Sequence, residues 1–374
     1  MENPFLTSGY VSPDLFCDRV EETQRIVDLL TNGNNIALIS PRRMGKTGLL
    51  NHCFAQPEIS ERYHTFLVDI YSARNLKEMV YAMGREILNI LKPKGKKAFE
   101  TFIEMVSSLR SGIRYDAAGI PSWNVEIGDI KSPDFTLDEI FSYLEKADRQ
   151  CIVAIDEFQS VTRFPENNIE AILRTYIQKC KNTWFVFSGS QRSMMNEIFN
   201  SPARPFYQSV SFIPLRVISL QNYSDFIHHH FNRNGKHIEQ NVIDSVYQQF
   251  EGVTWYVQKM MNMLFTSTKE GTTCHLEMLQ PALQRVIDDH EDGYKDTLFR
   301  ISAKQKELLL AISKEGKATQ ITSGTFVKSH KLTSASSVQK AAKSLIEQQI
   351  ITQEMGVYEI YDKFFALWLV QSQE

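Results

Sequence analysis

Several features that define whole classes of protein are absent from this chain of 374 residues. Its five cysteines are scattered, with no Cys-x-x-Cys pair and no zinc-ligand spacing, which is typical of unpaired thiols in a reducing compartment. No apolar stretch is long enough to cross a bilayer, and the first residues lack the basic region and apolar run of a secretion signal. We therefore expect a soluble, cytoplasmic protein with no membrane contact.

The charge balance also lacks a strong excess of either sign. The formal net charge is -3, so any nucleic-acid-binding surface must be local. The composition, 43% hydrophobic and 23% charged, is that of an ordinary globular protein. A chain of this length usually exceeds one compact core, so we expect two or three domains.

One short stretch, residues 36–50, carries the strongest chemical signal. IALIS is a continuous apolar run that predicts a buried strand, GKTGLLNHCF opens a helix, and SPRRMGKT between them matches G-x-x-x-x-G-K-[ST] with Ser in the first place. Backbone N–H groups of such a loop wrap a nucleotide phosphate. A chance match in a surface turn is the alternative. The predicted nucleotide-binding residues are Ser40, Pro41, Arg42, Arg43, Met44, Gly45, Lys46, Thr47 and Gly48.

Each position of this loop has an expected role. Gly45 lets the backbone approach the phosphates, Lys46 reaches the β- and γ-phosphates, and the Thr47 hydroxyl coordinates Mg²⁺. We expect Arg42 and Arg43 to support the site, through attraction to phosphate or contact with a lid or adjacent domain.

A second apolar strand, in CIVAIDEFQSV (151–161), ends in two acids. Asp156 is predicted to hold Mg²⁺ through water, and Glu157 to polarise the attacking water. A merely solvated strand end is the alternative. No Asn/Thr-Lys-x-Asp base-reading motif is present, which argues against a small GTPase and favours ATP.

A third strand, in TWFVFSGSQRSMM (183–195), ends in small polar residues. Ser188 and Ser190 are candidate γ-phosphate sensors, and Arg192 could contact the γ-phosphate or a neighbouring subunit. A plain strand-to-helix turn is the alternative for each. Strands that alternate with helices predict a doubly wound parallel α/β sheet with ligand at the carboxyl ends of its strands.

The remaining chain divides into further segments. Within the core, predicted over residues 1–215, a hairpin insertion is expected at about 111–129. Apolar residues at helical spacing predict a helical lid over 216–292. The three histidines at 228–230 point in different directions, so a solvated helix face is favoured over a metal site.

Residues 293–374 have the pattern of a winged helix-turn-helix, with three helices followed by two strands about a Met-Gly turn. The third helix is predicted to present small and basic side chains to double-stranded DNA. Protein docking or simple packing is the alternative. The candidate DNA-contacting residues are Ser336, Ser337, Gln339, Lys340 and Lys343.

The chain resembles the AAA+-related P-loop ATPases of the STAND superclass, in particular the prokaryotic family of archaeal-type ATPases. The resemblance rests on LFCDRVEET, SPRRMGKTGLL, AIDEFQ, FSGSQRSMM, FEGVTWYVQ and YDKFFALWL. It implies an ATPase core, a helical lid and a winged helix, a layout similar to that of origin-recognition ATPases. It also implies that Phe16 and Arg19 line the adenine pocket and that the lid near Gly252 closes over the nucleotide.

Two positions depart from the pattern of this family. The usual Gly-x-Pro of the lid is Gly252-Val253-Thr254 here, and Gln208 stands where relatives often carry an arginine, with Arg204 as a possible substitute. Two alternatives follow: Arg204 acts in place of that arginine in a homo-oligomer, or the protein does not complete its site through a neighbouring subunit.

The functional hypothesis is an ATP-binding, Mg²⁺-dependent, slow ATPase that acts as a nucleotide-dependent switch coupled through the winged helix to DNA or to a partner protein. The alternative is a DNA-binding regulator or adaptor in which ATP is structural. A small-molecule kinase is disfavoured because no segment is left for an acceptor-binding domain.

Overall fold

The computed structural model of the protein describes residues 3–91, 113–115, 121–123 and 130–372. These residues form two compact units. The ATPase unit takes its described residues from Leu6–Phe226 and Gly252–Tyr256. The C-terminal unit takes its described residues from Met1–Phe5, Ile227–Glu251 and Val257–Glu374.

The ATPase unit is built on a five-stranded parallel sheet with the order β2-β5-β6-β1-β7. The strands of this unit in chain order are β1 (Ile36–Ile39), β2 (Tyr63–Asp69), β3 (Ile113–Tyr115), β4 (Pro121–Trp123), β5 (Gln150–Asp156), β6 (Thr183–Gly189) and β7 (Ser211–Pro214). Strands β3 and β4 pair with each other antiparallel, inside the segment predicted as a hairpin insertion. The rest of that segment, at 111–112, 116–120 and 124–129, lies outside the described residues.

The central sheet packs against core on both of its faces, which is why β1 is apolar and buried at every position. In β1, Ala37 and Ile39 pack into one core cluster, whereas Ile36 and Leu38 pack into the cluster on the opposite face. The helices of the unit are Val20–Thr31, Lys46–Phe54, Pro57–Ser60, Leu76–Ile90, Pro133–Glu145, Ile169–Lys179 and Arg192–Asn200. The predicted doubly wound α/β core is confirmed.

The C-terminal unit combines helices with a winged helix-turn-helix. Its helical part contains Gln240–Gln249, Leu279–Asp288 and Glu291–Arg300, and the short strands β8 (His237–Ile238) and β9 (Thr273–Cys274). The helices Leu220–Arg233 and Thr254–Ser267 each begin in the ATPase unit and continue into this one. None of the helices in the described ranges is long and apolar enough to span a membrane.

The winged helix follows the predicted order of elements. Its elements in chain order are the helix Ala303–Glu315, β10 (Lys317–Thr319), the helices Gly324–Ser329 and Ala335–Glu347, β11 (Ile351–Glu354), β12 (Val357–Ile360) and the helix Lys363–Gln371. The three strands form an antiparallel sheet in the order β10-β12-β11. Met355 and Gly356, at the predicted turn, have φ values of 50° and 82°, as a two-residue hairpin turn requires.

The three histidines differ from the solvated face that the sequence predicts. His229 is exposed and His228 is half-buried, but His230 is buried with its ring 6.1 Å from that of Phe5. The described residues contain no cluster of three or more His, Cys, Asp or Glu side chains that could hold a metal ion.

Candidate nucleotide site

The predicted phosphate-binding loop lies between the end of β1 and the helix that starts at Lys46. Gly45 has φ 88°, a conformation that glycine adopts without a steric penalty. Ser40 stands in place of the usual first glycine. It is not among the described residues with positive φ, so a side chain at this position adds no backbone strain. Its backbone N–H donates to the Gly189 carbonyl at 3.3 Å, which joins the start of the loop to the end of β6.

The Lys46 ammonium lies inside this loop. Nζ donates to the carbonyl oxygens of Ser40 and Pro41 at 3.2 and 3.4 Å, and the side chain is buried. Burial holds the pKa of Lys46 below its usual value, although the nearby carboxylates of Glu157 and Asp156 partly oppose this effect. The loop therefore holds a cation among backbone dipoles, at a place where a phosphate could supply the compensating charge.

Thr47 and Asp156 meet although their elements are far apart in the sequence. Thr47 Oγ1 donates to Asp156 Oδ2 at 3.0 Å, across the carboxyl edge of β6, which separates β1 from β5. The second Asp156 oxygen accepts a hydrogen bond from the Glu157 backbone N–H at 3.0 Å. A hydroxyl and a carboxylate are ligands that suit Mg²⁺, which takes its other ligands from phosphate and water.

Asp69 is a third acid at this edge that the sequence analysis did not single out. It ends β2 in register with Asp156, and its Oδ1 accepts a hydrogen bond from the Tyr71 N–H at 2.8 Å. Burial raises the pKa of Asp69, and the negative charges of Asp156 and Glu157 add to that effect. The sequence signal that could have identified Asp69 is the strand YHTFLVD, which ends in an acidic residue as β5 does.

The Glu157 carboxylate is held by neighbouring side chains. Its Oε2 accepts hydrogen bonds from Ser190 Oγ at 2.6 Å and from the Gln159 amide. Arg42 Nε lies 3.9 Å from the other carboxylate oxygen, Oε1, and donates to Ser190 Oγ at 3.3 Å. Of the side chains around Glu157, Gln159 was missed by sequence reasoning.

The other two candidate γ-phosphate sensors, Ser188 and Arg192, do not contact Glu157. Ser188 is fully buried within β6, and its hydroxyl has no hydrogen-bond partner among the described residues. Arg192 begins the helix Arg192–Asn200, is exposed, and makes no ion pair or hydrogen bond within the part of the chain that the structure describes. The structure thus brings Ser190, but neither Ser188 nor Arg192, into contact with Glu157.

The two loop arginines contact aromatic rings. The Arg42 guanidinium carbon lies 4.6 Å from the ring centroid of Tyr71. That of Arg43 lies 4.4 Å from the Trp255 ring and 4.8 Å from the Tyr256 ring, and Arg43 also hydrogen-bonds the Tyr256 hydroxyl. The backbone N–H of Trp255 donates to the Arg43 carbonyl at 2.9 Å. Arg43 therefore ties the loop to residues 252–256.

The two residues predicted to line an adenine pocket lie next to the loop. The Phe16 ring stacks on His52 at a centroid distance of 4.3 Å, beside Gly48, whose missing Cβ would lie 3.6 Å from it. The Arg19 guanidinium is buried and donates to the carbonyl of Met44, at 3.4 Å, and to that of Arg216, at 2.6 Å. In this structure Arg19 fixes the backbone of the loop.

Comparison with known proteins identifies the family. Residues 16–260 match the model of an ATPase domain found predominantly in Archaea, and residues 292–371 match that of a probable winged helix domain. The chain belongs to the archaeal-type ATPase family. It is a P-loop ATPase with a winged helix at its carboxyl end.

Solved structures agree on the fold of this archaeal-type ATPase. A Walker-type ATPase of Pyrococcus abyssi is 17% identical, with a TM-score of 0.65 over 98% of this chain and 99% of that one. The Aeropyrum pernix ORC1 protein, solved in complex with DNA, is 12% identical, with a TM-score of 0.55 over 96% of this chain and 94% of that one. The ORC2 protein of the same organism, solved as ADPNP-ADP complexes, is 12% identical, with a TM-score of 0.55 over 99% and 98%. No curated protein matches the chain.

The candidate trans-acting arginine of this archaeal-type ATPase has partners within its own chain. Arg204 pairs with Glu170 at 3.3 Å and with Glu197 at 3.2 Å. Gln208 is exposed, with φ 52°, and its N–H donates to the Phe199 carbonyl at 3.0 Å. Arg204 must therefore break two ion pairs before it can reach a neighbouring site.

The winged helix of this archaeal-type ATPase has a groove of about 470 Å³ where two helices begin. Ser302 caps the helix Ala303–Glu315, and Ser334 caps the helix Ala335–Glu347. Both N-termini carry positive partial charge. Of the residues predicted to contact DNA, Gln339 and Lys343 do not line the groove. The polar and charged side chains that line it are Ser302, Lys304, Gln305, Ser334, Ser336, Ser337, Lys340 and Ser344.

Proposed function

We propose that this protein binds ATP with Mg²⁺, hydrolyses it slowly, and acts as a nucleotide-dependent switch coupled to DNA or to a partner protein through its winged helix. The observation that carries the proposal is the 3.0 Å contact between Thr47 and Asp156 beside the buried Lys46. This arrangement offers a cation for the phosphates and two oxygen ligands for a metal at one edge of the sheet.

Each residue has a role in the proposed reaction. Lys46 binds the β- and γ-phosphates, and Thr47 and Asp156 hold the metal. When bound, Mg²⁺ neutralises charge on the phosphates. Phe16 and Arg19 are proposed to border the base, as the family resemblance implies.

Hydrolysis needs a group that accepts a proton from water. Glu157 orients a water whose oxygen forms a bond to the γ-phosphorus while the bond from that phosphorus to the β–γ bridging oxygen breaks. ADP leaves with the electron pair of that bond, and the water proton passes to the Glu157 carboxylate. Ser190, in hydrogen-bond contact with Glu157, is the proposed sensor of the γ-phosphate.

Turnover by a Glu157→Gln variant tests this assignment. The amide keeps the size of the side chain but cannot accept the proton, so we expect phosphate release to fall by roughly 10²- to 10⁴-fold while ATP still binds. Glu58→Gln, which changes an exposed acid in the helix Pro57–Ser60, should have no effect. Unchanged phosphate release in Glu157→Gln would remove Glu157 from this role.

Coupling to double-stranded DNA is proposed to involve the groove of the winged helix. Lys304 and Lys340, beside two helix N-termini, could contact backbone phosphates. The double variant Lys304→Ala/Lys340→Ala should weaken binding to a DNA duplex and reduce the salt dependence of its affinity by about two phosphate contacts. Lys314→Ala, at the opposite end of the helix Ala303–Glu315, is the matched control.

The competing proposal is a regulator or adaptor in which ATP is structural. The two are separated by phosphate release measured with and without duplex DNA. Stimulation by DNA supports the switch, whereas DNA binding without any change in turnover supports the adaptor. If DNA does not bind, or binds without salt dependence, the winged helix docks a protein or another copy of the chain, and the size of the particle with ATP and with ADP would reveal that assembly.

A further inference from the structure

Gln159 is an unusual residue to find buried beside the candidate site. It lies on the 3-10 helix Phe158–Arg163, and only 2% of it is exposed. A buried amide is costly unless its polar atoms are bonded. Its Nε2 donates to Glu157 Oε2 and lies 3.4 Å from Ser190 Oγ, but its Oε1 has no partner among the described residues. The free-energy cost of this unbonded carbonyl oxygen indicates that the position of the N–H₂ group matters at this site.

The end of β6 leaves space for this amide. A Cβ added to Gly189 would lie 2.6 Å from Gln159 Oε1, closer than real Cβ atoms approach other heavy atoms. Gly189 does not have a positive φ, so its lack of a side chain serves packing and not backbone conformation. The backbone around Glu157 is constrained as well, because Glu157 has φ 56°, which residues other than glycine rarely adopt.

The two carboxylate oxygens of Glu157 have different neighbours. Oε2 accepts hydrogen bonds from both the Ser190 hydroxyl and the Gln159 amide, whereas Oε1 lies 3.9 Å from Arg42 Nε. A carboxylate with one oxygen bonded to two fixed donors has a defined orientation, and its other oxygen can accept a proton. Fixed orientation of a reacting group can supply much of a rate enhancement.

We infer that Gln159 is a positioning residue that fixes the Glu157 carboxylate with Oε1 directed to the attacking water. This inference rests on the proposed ATPase function and adds a residue to it. The hydrogen bonds of Gln159 are to the protein side chains Glu157 and Ser190, so we expect it to affect the rate of hydrolysis and not the nucleotide affinity.

The test compares single-turnover ATP hydrolysis and ATP affinity in the full chain. Gln159→Met keeps the volume but removes the donor, and Gln159→Glu replaces the donor with a like charge next to Glu157. In both variants the hydrolysis rate should fall by roughly 10- to 100-fold, as expected when a catalytic group is displaced. The ATP affinity should stay unchanged within about twofold. Thr183→Val, which removes a buried hydroxyl at the first position of β6 and so at the opposite end of that strand from Gly189, is the matched control and should behave as wild type.

A double variant distinguishes positioning from a structural role. In a Glu157→Gln background, Gln159→Met should slow the residual hydrolysis no further, because the two side chains act as one unit. An equal further loss in that background would overturn the inference, as would unchanged or faster hydrolysis in the Gln159 single variants. If wild type hydrolyses ATP no faster than Glu157→Gln, the proposed function fails and this inference fails with it. If only the Gln159 variants match wild type, the function stands and the inference alone is wrong.

Discussion

Gly189, at the last position of β6, illustrates how a residue without a side chain can shape this site. An added methyl group would meet Gln159 Oε1 on one side and the side chain of Met195 on the other. Gly189→Ala should destabilise the protein by about 1–3 kcal/mol through overpacking and should slow ATP hydrolysis by displacing Gln159.

Denaturant midpoints measure the effect on stability. The control is Gly293→Ala in the helix Glu291–Arg300, where an added Cβ meets nothing within 4 Å and should be neutral or stabilising by up to about 1 kcal/mol. Equal midpoints for Gly189→Ala and wild type would show that the end of β6 relaxes freely.

At the residue scale, local motifs predicted part of the site. Lys46, Thr47 and Asp156 come together as the sequence predicts, because loop and strand termini share one edge of a parallel sheet. Asp69 and Gln159 were missed because their importance depends on neighbours in other segments. Nothing in the sequence favours Ser188 over Ser190 as the sensor, or the reverse. Ser188 lies within β6 and Ser190 lies just after it, and only Ser190 contacts Glu157.

At the scale of elements, one carboxylate connects three parts of the C-terminal unit. Glu251, just after the helix Gln240–Gln249, pairs with Lys363 at 2.6 Å and also with Lys317 of β10. Burial alone raises the pKa of Glu251, but the hydrogen bonds from Lys317 and Lys363 outweigh it and hold the pKa below its usual value. Glu251 thus links a helix to the sheet and the last helix of the winged helix domain.

This depressed pKa predicts a pH-dependent contribution to stability. A carboxylate that ionises more readily when folded stabilises the protein above its unfolded pKa, and that contribution is lost as pH falls through the folded pKa. Glu251→Gln should therefore lower the free energy of unfolding by about 0.5–1 kcal/mol near pH 7, the range measured for partly exposed ion pairs. Near pH 4 the decrease should be smaller.

Denaturant midpoints at the two pH values test this prediction. Glu277→Gln, an exposed acid in the 3-10 helix Leu276–Met278, should change neither midpoint. A larger loss for Glu251→Gln at pH 4 than at pH 7 would have the wrong sign and would contradict the assignment.

Sequence patterns predicted the type of most elements more readily than their partners. Apolar runs predicted β1, β5 and β6, and the Met-Gly turn predicted the wing, because each signal is local. The insertion of β6 between β1 and β5, and the addition of β7 beside β1, depend on long-range packing. The contact of Arg43 with Trp255 likewise joins residues more than 200 positions apart, and no local pattern identifies that pair.

At the scale of the whole molecule, the archaeal-type ATPase has the candidate nucleotide site in one compact unit and the winged helix in the other. The segment Gly252–Tyr256 belongs to the ATPase unit and contacts the loop through Arg43, while the helix Thr254–Ser267 continues into the C-terminal unit. The segment that contacts the phosphate-binding loop is thus continuous in the chain with residues of the second unit. The proposed switch is consistent with this connection.

The central claim is that a triphosphate and its metal bind where Lys46, Thr47 and Asp156 meet. Calorimetric titration of ATP into wild type and Lys46→Ala, with and without Mg²⁺, tests it most directly. We expect saturable binding by wild type that weakens when Mg²⁺ is withheld, and no detectable binding by a folded Lys46→Ala variant. Undiminished ATP binding by Lys46→Ala would contradict the account.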